Sequence, residues 1–120
     1  MTNSKIYTIL CDIDGTLIKH NGDIMTQHLG EAELLPGVKE KIIEWDRGGF
    51  RIILTTGRRE SVRKDTEKQL AEVGIIYDQL IMGLGNSPRI LINDFKVNSI
   101  EPTASVVNVE RNKGLKGFKI

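Results

Sequence analysis

Short apolar runs alternate with amphipathic segments along most of the chain. Residues 6–11 form an apolar run that ends abruptly at carboxylates, which is typical of a buried strand in a parallel sheet. Four further runs predict strands over residues 50–54, 79–82, 90–92 and 104–109. Because these runs are short and rich in Ile, Leu and Val, strands explain them better than helices do.

Two segments between these runs have the apolar spacing of helices. The first begins near Pro36 and stops at Gly48, and the second extends from about Arg59 to Val73. Alternating strands and helices predict parallel pairing with right-handed crossovers. We therefore expect a single three-layer α/β/α domain over residues 1–120, with a doubly wound, mainly parallel five-stranded sheet.

A small β-flap is predicted over residues 18–25, because Asn21-Gly22 is a strong hairpin signal. In parallel sheets, ligands bind beyond the carboxyl ends of the strands. The first and fourth predicted strands end in acids there, and the second ends in hydroxyls. The polar chemistry is therefore expected to gather at one edge of the sheet.

Composition narrows the class of protein. The 120 residues carry 17 Lys+Arg and 16 Asp+Glu, a net charge of +1, which gives no electrostatic case for nucleic acid or membrane as the main partner. A single cysteine excludes an intrachain disulfide and a multi-cysteine zinc site. No apolar run reaches the ~18 residues of a membrane span. We expect a cytoplasmic protein, with a basic solvated end from Arg111 onwards.

The sharpest chemical feature is the pair Asp12 and Asp14, directly after the first apolar run. Two carboxylates two residues apart on a turn can face one crevice, where one attacks while the other moves a proton. An isolated aspartate ionises near pH ~3.9, so it is ready but weak as a nucleophile at neutral pH. Attack on a phosphate ester also requires nearby positive charge, while Gly15 allows a sharp turn.

Three motifs resemble those of the haloacid dehalogenase superfamily of phosphohydrolases. The run DIDGTL at 12–17 resembles its first motif, IILTTGR at 52–58 its second, and LIND at 91–94 its fourth. They occur in the superfamily's order, and the first is the most specific. The resemblance implies a HAD-like fold and an Mg²⁺-dependent phosphatase.

The resemblance also implies roles for individual residues. Asp12 is the expected nucleophile, Asp14 the acid and base, and Thr56 a donor to the phosphoryl oxygens, with Thr55 as the alternative. Mg²⁺ is expected on Asp12, the backbone carbonyl of Asp14, and Asp94. Other residues expected to contact substrate are Gly15, Thr16, Thr55, Gly57, Arg58 and Lys96.

Two departures from the superfamily pattern stand out. Its third motif supplies a lysine near a helix, but only residues 83–89 join the third and fourth predicted strands, so Arg89 is the first candidate cation and Lys96 the second. In addition, 18 residues between Leu17 and Pro36 leave no room for a cap. Capless members have open sites that take large substrates or are closed by a neighbouring subunit, so we expect a homo-oligomer.

The function expected from these features is hydrolysis of a phosphate monoester of a small metabolite, for which a sugar phosphate is a guess from analogy. A phosphotransferase or mutase could use the same residues with another acceptor. A polynucleotide end-phosphatase is disfavoured by the near-neutral charge. A non-catalytic phosphate-binding or assembly subunit is the alternative from a different class.

Overall fold

The computed structural model describes residues 5–120, so the first four residues of the predicted domain lie outside it. Three strands form a parallel sheet in the order β1-β2-β3, with bounds Thr8–Asp12, Arg51–Thr55 and Gln79–Ile81. The register places Asp12 beside Thr55 and Thr55 beside Ile81. The first three predicted strands are confirmed, and all three end at one edge of the sheet.

The helices connect these strands as expected. Helix α2 spans Val38–Arg47, and a 3-10 turn over Glu60–Val62 leads into α3, Arg63–Glu72. A short helix, α1, covers Ile24–Leu29. In α2 the buried side chains recur at helical spacing and pack toward the sheet. Within the described residues, none of the helices has the length and apolar character needed to cross a membrane.

The core lies against one face of the sheet. On that face Cys11, Leu54 and Leu80 share one row of the register and are all buried. On the opposite face Leu10 is 53% exposed and Ile81 is 39% exposed. The connections from β1 to β2 through α2 and from β2 to β3 through α3 run in the same direction across the sheet. Because such connections are right-handed, α2 and α3 lie on the same face of the sheet. The second helix layer of the predicted three is not formed by the described residues.

The predicted fourth and fifth strands are not strands in the structure. Residues 90–92 and 104–109 have irregular backbone, and Ile90, Ile92 and Val106 are 88%, 89% and 73% exposed. A short strand gains stability only from hydrogen-bonded neighbours. The prediction used apolar runs alone, and those runs find no partner strand in residues 5–120.

The path of the chain after β3 explains this difference. Arg89 remains near the carboxyl end of β1, where its charge acts on Asp12, whereas Glu101 accepts a hydrogen bond from Lys5, close to the amino end of β1, at 2.6 Å. The chain therefore descends past β1. A parallel fourth strand first requires a return to the amino edge, and parallel crossovers typically take a dozen or more residues. The seven residues 83–89 are fewer than such a crossover takes.

The flap also differs from the expected tight hairpin. Ile18 bridges Leu34 in antiparallel fashion, and the Lys19 N–H donates to the Glu33 carbonyl at 2.9 Å, so the two sides of the flap are far apart in sequence. Between them lies α1, whose N-cap Asp23 accepts from the Thr26 N–H at 3.2 Å. An Asp three residues before a Thr is a capping signal that the Asn-Gly reading overlooked.

Candidate active site

Asp12 is the last residue of β1 and lies at the carboxyl edge, beside Thr55 of β2. Thr16 donates its hydroxyl to Asp12 Oδ2 at 3.2 Å, and the Ile13 N–H also donates to this carboxyl. Burial raises the pKa of Asp12, and the charge of Asp14 adds to this, while the two hydrogen bonds and the charge of Arg89 lower it. Asp12 is thus exposed to solvent, and the protein around its carboxyl raises its pKa.

Asp14 is held by a two-pronged ion pair with Arg58. Arg58 Nε donates to Asp14 Oδ2 at 2.9 Å, and Nη2 donates to Oδ1 at 2.7 Å. Gln27 of α1 adds a third bond, from Nε2 to Oδ1 at 2.6 Å. The side chain of Asp14 is 17% exposed, so its carboxyl is oriented by neighbours on two sides and still meets solvent.

The side chain of Arg58, which was predicted to contact substrate, is only 1% exposed in the structure. Its remaining N–H groups donate to Thr66 Oγ1 at 3.0 Å, Gln69 Oε1 at 2.6 Å and the Gln27 carbonyl at 3.1 Å. All five donors of this guanidinium are thus used inside the protein. Sequence reasoning missed this network, although a glutamine at 69 on the apolar side of a helix was a signal for it.

The two threonines at the end of β2 have different environments. Thr56 is 1% exposed, and its hydroxyl accepts from the Arg58 N–H at 3.1 Å. Thr55 is half-buried and lies level with Asp12 in the register. The hydroxyl of Thr56 therefore stabilises the turn that presents Arg58, and Thr55 is the more exposed threonine beside Asp12.

Arg89 is brought to the site by the loop that follows β3. This loop closes on the end of β2, where the Leu84 N–H donates to the Thr56 carbonyl at 3.1 Å. Gly57 permits the approach, because a Cβ there would lie 2.3 Å from the Gly85 carbonyl oxygen. Arg89 donates to the Gly85 and Ser87 carbonyls, which hold its guanidinium within electrostatic range of Asp12.

Within the described residues, no hydrogen bond or ion pair joins Asp94 or Lys96 to Asp12 or Asp14. Asp94 is exposed and contacts its neighbour Asn93 at 3.4 Å, and Lys96 makes no side-chain ion pair within residues 5–120. No group of three acidic, histidine or cysteine side chains in the described part of the chain converges as a metal site does. The donor set expected for Mg²⁺ is thus incomplete in this arrangement, with Asp12 and Asp14 in place and Asp94 apart.

The basic side chains of the C-terminal end are exposed, as expected, while Asn112 within it contacts the loop that carries the two aspartates. The Asn112 N–H donates to the Gly15 carbonyl at 2.8 Å. Its side chain accepts from the His20 N–H at 2.7 Å and donates to the His20 carbonyl at 3.1 Å. These contacts join residues nearly a hundred positions apart, so local sequence patterns could not reveal them.

Comparison with known proteins identifies two similar solved structures. A chain of a Pnkp1/Rnl/Hen1 RNA repair complex is 32% identical over 68% of this chain, with a TM-score of 0.57, and 27% of that chain is covered. A chain of a second Pnkp1/Rnl/Hen1 complex is 31% identical over 73% of this chain, with a TM-score of 0.59 and 32% of that chain covered.

The chain thus spans about a third or less of the length of the solved chains that it matches. No family model matches the sequence. No curated protein matches it either. The comparisons therefore show similarity to one part of a longer chain in an assembly with partner chains.

Proposed function

We propose that this chain is a phosphatase that cleaves a phosphate monoester through an aspartyl-phosphate on Asp12. The observation that carries the proposal is the pairing of a solvent-accessible Asp12 with an Asp14 oriented by Arg58 and Gln27, both at the carboxyl edge of a parallel sheet. Ligands bind at this edge in such folds. The resemblance of the 12–17, 52–58 and 91–94 motifs to phosphohydrolase motifs supports the same chemistry.

In the proposed reaction, a carboxylate oxygen of Asp12 attacks phosphorus, and the bond from phosphorus to the ester oxygen breaks. Asp14 pairs with Arg58 as a carboxylate in the resting chain, so in this proposal it takes up a proton from solvent when substrate binds and gives that proton to the departing oxygen. Asp14 then accepts a proton from the water that attacks the aspartyl-phosphate. Arg58 and Gln27 occupy two positions on Asp14 Oδ1 and one on Oδ2, so the remaining position on Oδ2 is left for the proton that passes to the ester oxygen.

Positive charge and hydroxyl donors complete the phosphoryl site in this proposal. Arg89 offsets the charge on the transferred group, and its effect on Asp12 supports that position. Thr56 was the preferred hydroxyl from the motif. Because its oxygen accepts from Arg58 and it is buried, Thr55 now competes for the role. Single Thr55→Val and Thr56→Val variants separate the two hydroxyls.

Mg²⁺ belongs to the proposal through the resemblance. Asp12, the backbone carbonyl of Asp14 and Asp94 would hold it, and it would offset phosphoryl charge. Asp94 would reach the edge only in the five-stranded, doubly wound arrangement with residues 90–92 beside β1, a pairing that the described residues do not form.

The first substrate class proposed is a small phosphorylated metabolite such as a sugar phosphate. A phosphorylated RNA end is the second candidate, because the matched chains belong to RNA repair complexes and exposed Arg111 and Lys113 lie on the segment beside the nucleophile loop. The near-neutral net charge thus no longer excludes nucleic acid. A partner chain, either a second copy or another subunit, fits the assemblies in which the matched chains occur.

Phosphate release from a panel of monoesters tests the function. The panel contains sugar phosphates and oligoribonucleotides phosphorylated at either end, with Mg²⁺ present. We expect release from one class, and its loss in Asp12→Asn, whose side chain has the same shape. A folded protein that releases nothing from any member contradicts the proposal. If alcohols or sugars are added and become phosphorylated, the chain is a phosphotransferase. If beryllofluoride binding is the same in Asp12→Asn as in the unmutated chain, the chain is a binding subunit.

A further inference from the structure

The C-terminal segment 110–115 has a fixed position beside the nucleophile loop. Asn112 has φ +63°, a left-handed conformation that asparagine tolerates better than most residues. Its backbone and side chain together make three hydrogen bonds, one to Gly15 and two to His20. Asn112 therefore connects the nucleophile loop to the flap.

The end of this segment is anchored equally well. The Leu115 N–H donates to the Pro36 carbonyl at 2.8 Å, and Leu115 is 3% exposed in the core. Gly114 has φ +75°, and a Cβ there would lie 2.2 Å from the same carbonyl oxygen. Hydrogen bonds and burial on both sides of residue 113 therefore hold the segment in one place.

Arg111 extends from this fixed backbone over the nucleophile loop. Its Cγ lies 3.2 Å from the position that a Cβ on Gly15 would take, and Gly15 has φ +88°, so two constraints require glycine there. Arg111 is exposed, and within residues 5–120 its guanidinium makes no hydrogen bond or ion pair. The result is an unpaired cation on a fixed backbone beside Gly15 and His20 of the loop and the flap.

Arg111 and Arg89 approach the site from different directions. Arg89 comes from the loop after β3 and acts on Asp12 directly, while Arg111 stands on the side of Gly15 and His20. A cation on the flap side is suited to an anion on the departing part of the substrate. An arginine fork binds two phosphate oxygens at once, which favours phosphate as that anion.

We propose that Arg111 binds a second phosphate group, carried by the leaving group of the substrate, and that Asn112 positions Arg111 for this contact. The inference rests on the proposed function, since it takes Asp12 as the site of the transferred phosphoryl group. The second phosphate has two sources, a small bisphosphorylated metabolite or the phosphodiester of a polynucleotide. In both cases the departing group carries a charge that a simple monoester lacks.

Calorimetric titration of the full chain carrying Asp12→Asn tests this without turnover. Two ligand pairs are compared at one ionic strength: fructose 1,6-bisphosphate with fructose 6-phosphate, and a nucleoside 3′,5′-bisphosphate with the nucleoside 3′-monophosphate. We expect one bisphosphate to bind about tenfold more tightly than its monophosphate, as for one charge-assisted hydrogen bond. The pair that shows the preference identifies the source of the second phosphate.

Added substitutions then locate the preference. Arg111→Ala should abolish it, Arg111→Lys should restore part of it, and Lys116→Ala, at an exposed lysine just after the segment, should leave it unchanged. Asn112→Gly tolerates the positive φ but removes the bonds to His20, so the preference should fall while the fold persists. The inference is overturned if neither bisphosphate is preferred, or if the preference survives Arg111→Ala.

These results separate the inference from the proposed function. If the chain prefers a bisphosphate, the preference depends on Arg111 and no monoester is hydrolysed, the second phosphate site is supported and the proposed phosphatase activity is rejected. Hydrolysis that requires Asp12, without any role of Arg111 in binding, supports the phosphatase and overturns the second phosphate site.

Discussion

Asp14→Asn tests the buried ion pair most sharply, because it removes a charge without changing the shape of the side chain. Arg58 is 1% exposed and Asp14 is 17% exposed, so the variant leaves a buried guanidinium without its counter-charge. Breaking such a pair on one side costs about 3–5 kcal/mol, and the partial exposure of Asp14 favours the lower end, about 3 kcal/mol. For a domain of this size that corresponds to a melting temperature lowered by roughly 12 °C.

The assay is urea and thermal unfolding at pH 7, followed by the fluorescence of Trp45, the single tryptophan, which is 3% exposed. The matched control is Asp12→Asn, the same chemical change two residues away. Burial raises the pKa of Asp12, so loss of its charge should cost less than about 1 kcal/mol. Equal stability of the two variants would refute the reasoning, because the Arg58 network would then contribute nothing to folding.

Three further outcomes follow from the geometry. The folded-state pKa of Asp12 is raised, so the folded chain holds more protons than the unfolded chain as the pH rises through the range just above 3.8. Over this range the free energy of unfolding of the unmutated protein should fall relative to that of Asp12→Asn. Parallel stability curves for the two proteins would contradict this. Burial, and to a smaller extent the charge of Asp12, raises the pKa of Cys11 to about 12. A disulfide reagent at pH 8 should therefore label Cys11 slowly in the native chain and fast in the urea-unfolded chain. Rapid labelling of the native chain would contradict this. Gly57→Ala should displace the loop that carries Arg89 and weaken inhibition by inorganic phosphate about tenfold; unchanged inhibition would place Arg89 outside the site.

The parts of the fold that the sequence could predict are those set by local patterns. The first three strands end within a residue or two of their expected positions, since apolar runs and glycine stops mark them. Asp12 and Asp14 stand at the carboxyl edge because they follow the first run directly. Helix α1 was not predicted because Asn21-Gly22 indicates a hairpin, although Asp23 and Thr26 beside it form an N-cap.

The remaining features depend on contacts between distant parts of the chain. Arg58 sits in the second motif and looks available to substrate, yet its partners come from α1, α3 and the Asp14 turn. The contact of Asn112 with Gly15 and His20 has no local signature. In residues 83–101, a parallel fourth strand can form only if enough chain precedes it to return to the amino edge of the sheet. An apolar run does not show whether that length of chain is available.

The central claim is that Asp12 forms a covalent phosphoryl intermediate. Acid quenching during turnover, reduction of the acyl phosphate with borohydride and fragmentation mass spectrometry of the resulting peptide would locate the modified residue. The account predicts that reduction changes the mass of residue 12 alone, and that Asp12→Asn shows neither the change nor phosphate release. Turnover in which Asp12 stays unmodified while another side chain carries the phosphoryl group would contradict it.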